Sequence, residues 1–160
     1  MKNKKKVKEL INNGAVGNII NVQIHFAQPP RNLDYNRQNL PWRVRSDISG
    51  GGYFYDLAPH QLDLLQDMFG VILEAQGYTS NRGGLYEVED TLSACFKFEN
   101  GLPGSGSWCF VAHESAKEDR IEIIGDKGML SFSVYTYDPI ILHTEKGEET
   151  FLPQNPPHVQ

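Results

Sequence analysis

Asp56, His60, Asp63 and Asp67 recur at intervals of three or four residues, so on a helix they share one side. Just upstream stand Gly50, Gly51 and Gly52, which let the backbone turn sharply and come close to another group. A carboxylate and an imidazole one turn apart, beside such an approach, are suited to moving a proton to or from a bound hydroxyl. The same residues suit two other readings. Asp56, His60 and Asp63 offer oxygen and nitrogen donors to a metal. Asp56 also suits a plain helix N-cap, with His60 a satisfied histidine at the helix start. Spacing alone leaves all three open. A second group is Trp42 with Arg43 and Arg45. An indole beside two guanidiniums can take an anion or a sugar face, or it can simply anchor a loop with the arginines in solvent.

These residues need a helix to position them. The sequence predicts one over 57–69, with Asp56 as N-cap, Pro59 as third helical residue and Gly70 as a left-handed end. Leu57, Gln61, Leu64, Leu65 and Met68 form its buried stripe. Upstream, 4–13 reads as a helix with Val7, Leu10 and Ile11 inside, so that 1–14 forms a linker helix stopped at Gly14. Residues 19–26 alternate as a strand: Ile20, Val22, Ile24 and Phe26 face one side, Asn21, Gln23 and His25 the other. The stretch 28–49 has no period and reads as a long functional loop.

Beyond the helix the chain turns all-β. Strands are predicted over 73–80, 91–98, 102–111, 120–124, 129–134, 140–143 and 149–152, with a two-residue turn at Asn100-Gly101. Short turns imply mostly antiparallel neighbours. Gly104-Ser105-Gly106-Ser107 reads as sheet glycines, since strand follows rather than a helix. Two helices cannot cover both faces of such a sheet. The fold expected is therefore α+β: an open, mostly antiparallel sheet with helices on one face, a two-layer sandwich. A single α+β domain over 1–160 follows: the linker helix, an open-sheet part over 15–152 around the central helix, and an extended tail over 153–160 that looks cut short. The free sheet face is a candidate surface for a homo-oligomer.

Composition excludes several classes. Fifteen lysines and arginines against 20 acidic residues give a net charge of −5, with no electrostatic case for nucleic acid. The cluster Lys2, Lys4, Lys5, Lys6 and Lys8 reads as a solvated helix face. Cys95 and Cys109 are too few for a disulfide framework or zinc site, and each reads as a reduced, mostly buried thiol. No leader or membrane span is evident in the sequence, which points to the cytoplasm.

Four motifs in register resemble one family. Gly51-Gly52-x3-Asp56-x3-His60-x2-Asp63 is similar to the helix signature in the second domain of the glucose–fructose oxidoreductase / inositol dehydrogenase (Gfo/Idh/MocA) family. Lys6-Val7-Lys8-Glu9-Leu10-Ile11-x2-Gly14-x2-Gly17 resembles its interdomain helix and first strand entry. Trp42-Arg43 ahead of the glycines, and Arg120-Ile121-x-Ile123-x-Gly125-x-Lys127-Gly128-x-Leu130, agree as well. Pro157-His158-Val159-Gln160 resembles the lead-in to the last helix of the family.

The resemblance implies a dehydrogenase C-terminal domain, normally joined to an N-terminal Rossmann domain. Such proteins oxidise or reduce a sugar, cyclitol or related polyol with NAD or NADP. By position, Asp56 would bind or orient the substrate and His60 would shuttle the proton. Arg43, Trp42, Tyr53 and Asp63 would contribute to substrate binding. The family's nucleotide-binding domain, and its lysine in a Glu-Lys-Pro segment, have no counterpart; Glu145-Lys146 is followed by Gly147. The expectation is a substrate-binding and oligomerisation domain that binds no cofactor or metal itself and is inactive alone. Two other functions stay open: a non-catalytic binding module of the same fold, and a metal-dependent hydrolase or isomerase using Asp56, His60 and Asp63.

Overall fold

The computed structural model describes residues 2–136 and 138–152. The expected tail, 153–160, lies outside the described residues. Helix α1 (Lys2–Asn12) buries Val7 and Leu10 and stops at Gly14, whose φ of +71° is open to glycine at little cost. Its lysines are not all solvated: Lys4 and Lys8 both pair with Asp67, Lys4 at 2.8 Å.

Strand β1 (Ile19–Ala27) follows, burying Val22, Ile24 and Phe26 as the alternation predicts. Ile20 departs from it and is 53% exposed, because the register with its neighbour shifts between Ile19 and Asn21. The long loop is not structureless. It holds single 3-10 turns at Asn32–Tyr35 and Trp42–Val44 and a one-turn helix α2 (Ser46–Ser49).

Helix α3 (Tyr53–Phe69) starts four residues before the predicted boundary. Gly52, not Asp56, is its N-cap, and Asp56 sits in the first turns. The reason is contact with the 84–90 loop. Gly52 donates its N–H to Glu89 Oε1 at 2.7 Å, and a Cβ there would collide with the Glu89 carbonyl. With the chain pinned at Gly52, Tyr53 turns inward at 2% exposure and begins the helix. Pro59 is thus well inside the helix and leaves the Tyr55 carbonyl without its ladder donor. Gly70 ends the helix with φ +90° but an extended ψ of −173°, so it is not the left-handed cap expected.

The remaining strands are β2 (Ile72–Ser80), β3 (Thr91–Phe98), β4 (Pro103–Cys109), β5 (Glu118–Gly125), β6 (Gly128–Phe132), β7 (Ile140–Thr144) and β8 (Gly147–Phe151). They form with β1 one eight-stranded sheet in the order β2-β3-β4-β1-β5-β6-β7-β8. All neighbours are antiparallel except β1 and β4. The helices cover one face; Leu64 and Leu65 of α3 join Val22, Ile24, Phe98, Trp108, Ile121 and Ile123 in the core. Gly104 and Gly106 are sheet glycines: a Cβ at either would strike the ring of Phe96 or Trp108. The opposite face presents Gln23, His25, Ser93, Cys95, Ser107 and Arg120. Cys95 is therefore exposed and Cys109 half-buried, contrary to the buried thiols expected, because both fall on the uncovered side of their strands.

Candidate active site

The first turns of α3 and the Trp42–Val44 turn meet at the surface. Arg43 Nε donates to Asp56 Oδ2 at 2.5 Å, and both side chains are about two-thirds buried. The Arg43 guanidinium also stacks on Trp42, 4.5 Å from the ring centroid. Trp42 keeps 49% of its surface exposed, so one side of the indole is covered by its own neighbour and much of the rest is open. Asp56 sits close to the helix N-terminus, where the dipole favours its charge. Its carboxylate is therefore held ready by a guanidinium and a helix end rather than used as a cap.

One turn on, His60 is exposed. Its ring meets the ring of Tyr135 edge-on, with centroids 6.2 Å apart and planes at 83°. The Tyr135 hydroxyl donates to the Leu57 carbonyl of α3. Burial raises its pKa, with the charges of Asp119 and Asp56 adding to the effect, so the phenol stays neutral. Asp63 is exposed two turns beyond Asp56 on the same side. Asp67, the last of the series, is taken by Lys4 and Lys8, and those bonds hold its carboxyl below the usual range.

The structure thus brings together Asp56, Arg43, Trp42 and His60. It does not bring Tyr53 to them. Tyr53 donates to Asp34 Oδ1 at 2.6 Å inside the core, and Arg31 covers its ring at 4.5 Å. The exposed aromatic of this helix turn is Tyr55, at 61%. Sequence reasoning missed this exchange because it placed the helix start after Asp56. It also missed Tyr135, which had no motif; the only signal was an aromatic in the turn between two short strands. Among the described residues, no three His, Cys, Asp or Glu side chains gather as a metal centre. Nor does either glycine-rich stretch form a phosphate cradle. The rings of Phe96 and Trp108 fill the space at Gly104 and Gly106, and Tyr55 and Glu89 fill it at Gly51 and Gly52.

Known proteins resemble the chain over most of its length. The family model described as the GFO/IDH/MocA C-terminal domain matches residues 5–131. Oxidoreductase P35 of Formosa agariphila is 34% identical over 155 residues, covering 97% of this chain and 47% of that protein. Levoglucosan dehydrogenase of Pseudarthrobacter phenanthrenivorans is 25% identical over 156 residues, covering 83% of this chain and 40% of that protein. A solved levoglucosan dehydrogenase, in complex with NADH and levoglucosan, superposes with a TM-score of 0.76 over 91% of this chain and 42% of that one. The chain spans less than half the length of these relatives. No helix among the described residues is long and apolar enough to cross a membrane.

Proposed function

The chain belongs to the Gfo/Idh/MocA family through its C-terminal domain, and on that premise we propose that it is the substrate-binding and oligomerisation half of an NAD(P)-dependent oxidoreductase acting on a sugar, cyclitol or related polyol. The observation that carries the reading is the Arg43–Asp56 pair beside an exposed His60, on a surface open to a second body.

Asp56 accepts a hydrogen bond from a substrate hydroxyl and fixes its direction, while Arg43 holds the carboxylate still. His60 takes the proton from the hydroxyl that becomes a carbonyl, or returns it in the reverse direction. Trp42 offers its free ring area to an apolar sugar face, and Asp63 lies along the same side for a more distant hydroxyl. The nicotinamide supplies the hydride chemistry. It is held by a separate nucleotide-binding domain, in keeping with a chain that spans less than half of its relatives. Alone, this chain orients substrate and does not turn over. The polar open face of the sheet joins two copies of the chain, and the protein acts in the cytoplasm.

The test is His60→Ala in the enzyme that unites this domain with its nucleotide-binding half. Turnover should fall about 10²-fold or more, the usual scale of general acid–base catalysis. Near-normal turnover would retire the role of His60.

A further inference from the structure

His60 is exposed, yet a proton-transfer group must be aimed. Behind the helix lies a buried assembly that reaches the His60 ring through Tyr135. Asp119, 8% exposed, directs one carboxylate oxygen at three consecutive backbone N–H groups, those of Val134 (3.0 Å), Tyr135 (2.5 Å) and Thr136 (3.0 Å). Its other oxygen accepts from Gln61 Nε2 at 3.5 Å. Gln61 is wholly buried and follows His60 directly; its Oε1 accepts the Trp108 indole N–H at 2.7 Å. One carboxylate therefore shapes the 133–136 turn and ties it to α3. Ser133 closes the turn by donating its hydroxyl to the Thr136 carbonyl at 2.6 Å.

Tyr135 is the residue that this turn delivers. Its ring packs edge-on against Phe26, 5.5 Å between centroids, and its hydroxyl bonds back to the Leu57 carbonyl. Clamped at both ends, the ring stands beside the His60 imidazole as a wall. Charge-assisted bonds to a buried carboxylate are short and directional, so the wall is stiff.

We propose that Tyr135 is a positioning residue for His60, set in place by the carboxylate of Asp119. The inference rests on the reading of His60 as the proton-transfer group. A group displaced by a fraction of an ångström loses rate without losing substrate affinity. Removing the ring should therefore act on kcat and spare KM.

The experiment compares Tyr135→Leu, Tyr135→Phe and His60→Ala in the two-domain enzyme, and follows the His60 ring signals by NMR in the 160-residue chain. Tyr135→Leu should lower kcat about tenfold with KM changed less than about twofold. It should also move the His60 ring protons toward their free-histidine positions, as the ring current is lost. Tyr135→Phe, which keeps the ring, should recover most of both. In a His60→Ala background, Tyr135→Leu should cost nothing further, since the two act through one group. An unchanged kcat, an unmoved His60 signal, a loss in KM alone, or additive losses would each overturn the proposal. Should Tyr135→Leu not fold, Tyr135→Met carries the same readouts. If His60→Ala itself leaves turnover intact, the proton-transfer reading fails and takes this inference with it. If His60→Ala stops turnover while Tyr135→Leu is silent, only the positioning role fails.

Discussion

The contact between Arg43 and Asp56 decides what each can do. Two-thirds burial makes an unpaired carboxylate expensive there, so the pair is more than a surface ion bridge. Arg43→Ala should raise KM for substrate about tenfold and leave kcat less affected, measured by steady-state kinetics on the two-domain enzyme. Arg43→Lys should not restore it, because a lysine can neither stack flat on Trp42 nor offer Nε in a planar fork. Tyr53 belongs to another account. Its hydroxyl is half of the partner set of the buried Asp34, whose other oxygen takes the Arg31 N–H at 2.7 Å. Tyr53→Phe should destabilise the fold by about 1–3 kcal/mol in denaturant melts, because it strands a buried carboxylate oxygen. Tyr86 is the reverse case: among the described residues its buried hydroxyl has no partner. Tyr86→Phe should be neutral or slightly stabilising in the same melts.

At the scale of elements, the glycines before α3 act through closeness of approach. Gly52→Ala places a methyl against the Glu89 backbone, and the helix start and the 84–90 loop must part. A loss of about 1–3 kcal/mol should follow, read from thermal unfolding. Two connections respond to acid. Asp126 accepts from Asn18 N at 2.8 Å and from Asn18 Nδ2 at 2.9 Å, and these bonds depress its carboxyl pKa; Lys4 and Lys8 do the same for Asp67. For a carboxylate lowered in the folded state, the stability is present above the unfolded pKa and is lost as pH falls through the folded one. The midpoint should therefore drop below about pH 4, and Asp126→Asn should flatten that limb. The elements themselves were largely legible in the sequence, because alternation in β1 and β3 and the stripe on α3 report burial directly. The start of α3 was not, because a contact with Glu89, distant in sequence, fixes it. The candidate residues Asp56, His60, Trp42 and Arg43 could be picked out in the sequence because a local motif carries them. Tyr135 and Asp119 could not, because only the folded turn brings them beside the helix.

For the whole molecule, the open sheet carries the predictions. The chain should show no binding of NADH or NADPH in a fluorescence titration, as a reading that assigns the nucleotide to a separate domain requires. Sedimentation should show a dimer, and Ser107→Arg, on the exposed side of β4, should shift it toward monomer. The sheet order was not read from the sequence. Short turns suggested neighbours in chain order, but β1 inserts between β4 and β5, with Val22 beside Gly104 and Ile19 beside Gly125. That insertion has a consequence in time. As the chain leaves the ribosome, β1 emerges before either of its neighbours, and α3, β2 and β3 are all made before β4 and β5 follow. β1 must wait, with Val22, Ile24 and Phe26 unburied, for partners that arrive late. Closing such distant pairs makes folding slow, and the waiting strand is the segment most open to capture by a chaperone or by another nascent copy.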